Sequence, residues 1–240
     1  PWHRPHGVSR VLDPSVVQEI FGRARRGAIV VGRDGGDPAL VHDVAEMLGW
    51  PVLTQFRSGA KVPRPNTIGC FDSLLRSEAF AAAHAPDVVV RLGDPLISRS
   101  IETWVGPEVE QWIIDPHLTW QGPFPDAAHL VAADADAVLR AVLEAGAPST
   151  DPAWVASWRS AEASARAAIG RVVGEQGDRI TEPGIARSIV QRMPDGASLF
   201  CSTTMPVRDV EWYGDRRPGL RVLASRGVSG LDGLTSTALG

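Results

Sequence analysis

The sequence predicts an α/β fold: a doubly wound parallel sheet followed by a second, incomplete α/β unit. Short apolar runs of the kind buried on both faces, such as Ala28-Ile29-Val30-Val31 and Val88-Val89-Val90-Arg91-Leu92, recur through the first 146 residues. They alternate with amphipathic stretches long enough for right-handed crossovers, which place successive strands parallel and cover both faces of the sheet. The alternation pauses at Gly146-Ala147-Pro148-Ser149-Thr150 and starts again near Ser198.

Residues 1–13, rich in Pro, His and Arg, read as a linker. Asp13-Pro14 opens a helix to about Arg26, with Asp as cap and Pro at its first position. A strand at 28–32, the loop Arg33-Asp34-Gly35-Gly36-Asp37, a helix from Pro38 to Leu48 and a strand at 51–54 follow. Residues 55–69 read as a long loop, 72–84 as one helix and 87–92 as a buried strand. The turn Gly93-Asp94-Pro95 leads to a helix near 98–104, strands at 111–115 and 129–132, and a helix over 134–145. Residues 14–150 therefore form one Rossmann-like domain. Residues 151–178 are an Ala-rich helical connector with Trp154, Trp158, Ile169, Val172 and Val173 as packing positions. Within 179–240 the pattern gives a helix over 182–193, a strand at 198–202, a helix over 206–212 and a strand at 221–225. A glycine-bearing loop then enters a helix. Two strands are too few for a parallel sheet covered on both sides, so this unit reads as incomplete. Proline at position 1 and a motif that stops at Gly240 suggest a stretch of a longer polypeptide.

A net charge of −4 gives no basic excess for nucleic acid, and no apolar run approaches the roughly 20 residues that span a bilayer. All positive charge but Lys61 is arginine. Cys70 and Cys201 are in no metal or redox spacing and read as buried thiols of a cytoplasmic protein.

Gly32-Arg33-Asp34-Gly35-Gly36 occupies the position where dinucleotide-binding folds hold pyrophosphate, but G-x-G-x-x-G is absent. Glycines for a tight strand-to-helix turn and a vestigial nucleotide pocket are both open readings. His42, His84 and His117 have no partners at ligand spacing, so no metal residues are assigned. The informative cluster is Cys201-Ser202-Thr203-Thr204-Met205-Pro206-Val207-Arg208-Asp209, where a strand presents hydroxyls at a carboxyl edge. Arg208 and Arg226 each follow a strand, and two guanidinium groups beside hydroxyls suit carboxylates; two solvated arginines are the alternative.

Met205-Pro206-Val207-Arg208-Asp209, the run from Arg221 to Gly233 (RVLASRGVSGLDG) and Ser236–Gly240 (STALG) together resemble the thiamine-diphosphate enzymes of menaquinone biosynthesis, the 2-succinyl-5-enolpyruvyl-6-hydroxy-3-cyclohexene-1-carboxylate synthases. The motifs match over residues 200–240; over 14–146 the match is one of architecture. The resemblance implies the central domain plus the opening of the diphosphate-binding domain. Absent partners would be the other domains of the same enzyme, including most residues that hold thiamine diphosphate and magnesium, and this stretch alone would be inactive. It implies decarboxylation of 2-oxoglutarate and addition of the resulting carbanion to isochorismate, in a homodimer or homotetramer. Arg208 and Arg226 match arginines that hold substrate carboxylates, Thr204 matches a substrate-binding serine, and Arg99 falls near a basic pair, from which Ser100 departs. Leu231 matches an apolar wedge beneath the cofactor, the Ser229 carbonyl would accept from its aminopyrimidine, and Gly227 and Thr203 complete the cofactor-side residues. Two rivals stay open: an acetolactate-synthase-like enzyme or 2-oxoacid decarboxylase, and a non-catalytic nucleotide-binding regulatory module.

Overall fold

Strand β1 (Gly27–Val31) has five residues and all are buried. A strand buried on both faces belongs in the interior of a parallel sheet, and β1 lies there. The computed structural model describes residues 21–22, 24–117, 128–146, 151–225 and 232–240. The other strands of the main sheet are β2 (Val52–Thr54), β3 (Thr67–Ile68), β4 (Val88–Leu92), β5 (Glu110–Ile114) and β6 (Ala128–Val131). All six are parallel, in the order β3-β2-β1-β4-β5-β6. The order reverses between β1 and β4, so the switch point of this doubly wound sheet lies at their carboxyl ends.

Alternation along β1 splits the core. Ile29 and Val31 point to one face, where they meet Val41, Val44 and Leu48 of α1 (Pro38–Leu48). Ala28 and Val30 point to the other, against α2 (Phe71–Leu75) and its neighbour α3 (Glu78–Ala83) and α4 (Ser100–Trp104). Helix α5 (Ala135–Ala145) adds Val138, Leu139 and Val142 to the first face. Helix α6 (Pro152–Glu175) brings Trp154 and Trp158 to the second. Asp37, Asp134 and Asp151 each cap the helix that follows by accepting a backbone N–H, the role their sequence position suggests.

The sequence reading needs four corrections. The stretch 72–84 is two helices, because Ser77 accepts from the N–H of Phe80 and restarts the chain as α3. The loop 55–69 contains a 3-10 turn at Phe56–Ser58 and the edge strand β3. Asn66 anchors that strand by donating to the carbonyls of Ala45 and Trp50, a polar contact that leaves no periodic trace. Of the helix predicted from Asp13 to about Arg26, residues up to 20 lie outside the described residues; Phe21 is helical, whereas residues 24–26 are not. Asp87 accepts from the N–H groups of Arg25 and Arg26 and turns the chain into β1. In α6 the inward stripe is Trp154, Trp158, Glu162 and Arg166, so Val172 falls outside it and is 54% exposed. Ile169 and Val173 are half-buried.

A second, two-stranded parallel sheet pairs β7 (Ser198–Cys201) with β8 (Arg221–Ala224), flanked by α7 (Glu182–Arg192) and α8 (Met205–Tyr213). Its core includes Val190, Cys201, Val207, Val210 and Val222, and Phe56 of the first sheet's layer belongs to the same cluster. The short helix α9 (Leu234–Leu239) follows.

Candidate functional site

At the switch point of the large sheet the glycine loop packs against the protein's own backbone. The Gly32 N–H donates to the carbonyl of Leu92, and the Asp94 N–H donates to that of Arg33. A Cβ on Gly32 would lie 1.6 Å from the Asp94 carbonyl oxygen, so close approach of the β4 turn requires glycine here. Arg33 pairs with Asp94 at 2.8 Å, and the Asp37 N–H at the start of α1 donates to Asp136 at 2.6 Å. Carboxylates at 34, 94 and 136 around a helix start with occupied donors oppose binding of a pyrophosphate. The tight-turn reading of Gly32–Gly36 accounts for these contacts.

The carboxyl edge of the small sheet is different. Strand β7 ends at Cys201, and Thr203, between it and α8, is buried at 5% exposure. Thr204 is the N-cap of α8, exposed, with no side-chain bond to the helix. Val207 and Val210 anchor the buried face of α8, leaving Arg208 partly exposed on the first turn. The Arg208 Nη1 donates to the Thr204 carbonyl at 3.2 Å, so these two residues share one turn. A guanidinium over a helix start combines a fixed cation with the positive end of the helix, an arrangement suited to a carboxylate. Cys201 pairs with Ala224, so the chain leaves β8 from the same edge. Arg226, Gly227, Ser229 and Leu231 lie outside the described residues. Arg99, exposed, is the residue just before α4.

Among the described residues no group of three or more His, Cys, Asp or Glu could hold a metal ion, and no helix is long and apolar enough to cross a membrane. The donors at the β7 edge fit an anionic group, whereas the described residues by themselves do not fit a magnesium diphosphate. His42 is buried with Nε2 2.9 Å from the Ala60 carbonyl oxygen, and burial lowers its pKa. His84 has Nδ1 3.0 Å from the Phe80 carbonyl oxygen and a pKa likewise lowered by burial. Cys70 and Cys201 are buried free thiols, both pushed up to about 11 by desolvation.

Sequence reasoning did not assign the residues that tie this edge to the large sheet. Lys61, 2% exposed, extends its Nζ to the backbone carbonyl of Glu211 and lies 3.5 Å from that residue's carboxylate. Burial drives the Lys61 pKa down and the Glu211 pKa up. Glu162, also buried, accepts from the Cys70 N–H at 2.8 Å and from Arg166. Asp72 accepts from Ser98, Ser100 and Arg76. The singular status of Lys61 in an arginine-rich chain is the one signal that could have drawn attention to it. A cavity of about 440 Å³ between the two sheets is lined by Asp34, Arg57, Arg217 and Arg221. It opens at the amino ends of β7 and β8, away from Thr204 and Arg208.

A six-stranded parallel sheet with a switch point closed by its own backbone, joined to a small sheet with an anion-suited edge, defines a class. The family model described as "Middle domain of thiamine pyrophosphate" matches residues 2–201, and the chain belongs to this family of thiamine pyrophosphate enzyme middle domains. Among curated proteins it is similar to the 2-succinyl-5-enolpyruvyl-6-hydroxy-3-cyclohexene-1-carboxylate synthase of Myxococcus xanthus, 34% identical over 96% of this chain and 40% of that protein. The synthase of the same name from Chloroflexus aurantiacus is 34% identical over 90% of this chain and 38% of its own length. That from Geobacillus kaustophilus is 33% identical over 100% of this chain and 44% of its own. The chain thus spans about 40% of the length of the curated relatives it matches.

Proposed function

We propose that the full-length protein is a thiamine-diphosphate- and magnesium-dependent transferase of the same activity as these relatives. It would decarboxylate 2-oxoglutarate and join the resulting four-carbon unit to isochorismate for menaquinone biosynthesis. On this reading residues 14–150 are the central domain, 151–178 a connector and 179–240 the opening of the diphosphate-binding domain. The observation that carries the reading is the Thr204–Arg208 turn at the carboxyl edge of β7, in a chain about one-third identical to synthases of that reaction.

Both substrates carry two carboxylates. A site for them needs cations whose charge does not titrate away, and guanidinium also offers paired N–H donors. Arg208 and Arg226 take that role, with the Thr204 hydroxyl as a further donor and Arg99 reaching the same substrates from the turn before α4. Thiamine diphosphate, when bound, supplies the electron sink that lets a 2-oxoacid lose carbon dioxide. Leu231, Ser229, Gly227 and Thr203 form this chain's wall against it, and the magnesium ligands lie elsewhere in the full-length enzyme. That enzyme is a homodimer or homotetramer in the cytoplasm, where two free buried thiols are stable.

The experiment is a mass-spectrometric assay of purified full-length protein with thiamine diphosphate, magnesium and the two substrates. The adduct should form only when both substrates are present. Formation of acetolactate from pyruvate instead would replace this reading with the acetolactate-synthase one.

A further inference from the structure

Asp72 carries none of the proposed substrate contacts, yet its carboxylate is bonded by the two serines that flank Arg99 and by Arg76, which closes its own helix and stacks on the helix of Arg208. It sits in α2, 7% exposed, and Phe71 and Leu75 on either side fix that helix in the core of the large sheet. On one side Oδ1 accepts from the hydroxyl of Ser98 and, at 2.7 Å, from that of Ser100. These serines flank Arg99, so both neighbours of that residue are tied to one oxygen. A second tether on the same turn is the Ile97 N–H, which donates to Gln55 Oε1 at 2.8 Å.

On the other side Asp72 Oδ2 accepts from Arg76 at 2.9 Å. The Arg76 guanidinium in turn lies over the ring of Trp212, 4.7 Å from its centroid. Trp212 is four residues after Arg208 on α8, so the two are neighbours on one helix face. A relay of contacts therefore runs from the Arg99 turn to Asp72, then through Arg76, its i,i+4 partner with a side chain 60% exposed, and Trp212 to the helix of Arg208.

We propose that Asp72 is a positioning residue that sets the placement of the Arg99 turn and the Arg208 helix together, and so the grip on a dicarboxylate substrate. This rests on the function proposed above. The mechanism is geometric: a charged acceptor fixes two hydroxyls and a guanidinium more strongly than a neutral one, and loss of the acceptor frees both arms at once.

Two measurements on the full-length protein test it. The first is amide hydrogen exchange of Asp72→Asn, with Asp72→Ser as a second variant should the first fold poorly. Residues 97–100 and 205–213 should both lose protection, by about three- to tenfold, with α1 and α5 unchanged. Loosening of only one segment, or of neither, overturns the coupling whatever the enzyme does. The second is a double-mutant cycle in kcat/KM for 2-oxoglutarate and for isochorismate. In the Asp72→Asn background, Arg99→Ala and Arg208→Ala should each cost about three- to tenfold less than in the wild type. Costs that simply multiply would reduce Asp72 to a folding residue and overturn the proposal. If exchange is coupled but Arg99→Ala and Arg208→Ala are silent in the wild type, the reading of the site has failed, and the positioning role goes with it.

Discussion

Lys61 and Glu211, 150 residues apart, form a buried ion pair in which the Lys61 Nζ lies 3.5 Å from Glu211 Oε2. Both oxygens of Glu211 also accept from the Phe56 N–H, at 2.9 and 2.8 Å, and Lys61 lies over the Phe56 ring. The pair thus joins the loop after β2 to helix α8, across the seam between the two sheets. Removing one member of such a pair leaves the other charge uncompensated. Lys61→Met should therefore cost about 3–5 kcal/mol in urea unfolding. The double change Lys61→Met with Glu211→Gln should recover part of that loss. A cost below about 1 kcal/mol for the single change would mean that water reaches Glu211.

Trp158 is fully buried and meets Phe80, Trp104 and Trp154 edge to face. It fastens α6 to the large sheet, with Trp154 Nε1 donating to the Gly27 carbonyl one turn earlier. Trp158→Ala should cost about 3–5 kcal/mol of stability through the cavity it leaves. Exchange protection should fall along the start of α6 before it falls in β1. Loss confined to the second unit would contradict the packing described.

The thiols of Cys70 and Cys201 have folded pKa values raised from 9.0 to about 11 by burial. A raised value means that the folded state holds its proton where the unfolded state releases it. Stability is unaffected below pH 9 and declines as the pH climbs from about 9 to about 11. Reaction with a thiol reagent at pH 8 should be slow in the native protein and fast in denaturant. Rapid titration of either thiol in the native protein would contradict its burial.

How far these arrangements are legible in the sequence depends on the range of the interaction. Strands β1 and β4 are readable because burial on both faces demands near-continuous apolar runs, interrupted in β4 only by Arg91, and α1 and α5 are readable from an Asp cap followed by helical periodicity. Strand β3 is not, since two residues held by the side chain of Asn66 make no pattern. The break before α3 turns on one hydroxyl accepting one N–H. The same division applies to the site. Thr204 and Arg208 are four residues apart on one turn and are suggested by local spacing. Apart from the local Asp72–Arg76 pair, Asp72, Lys61 and Glu211 bond partners 26 to 155 residues away, and no window of sequence carries that proximity. Glu162 continues a tryptophan stripe as a buried carboxylate, which periodicity alone reads as a break in the apolar face.

The central claim is that a fixed guanidinium on the first turn of α8 recognises a second substrate carboxylate. The most direct test compares full-length wild-type and Arg208→Ala protein for kcat/KM with 2-oxoglutarate and with a monocarboxylate 2-oxoacid of similar length. Loss of a charge-assisted bond of roughly 1.5–3 kcal/mol predicts a fall of about 10- to 150-fold for the dicarboxylate, with the monocarboxylate little changed. An equal effect on both acids, or none on either, would contradict the claim.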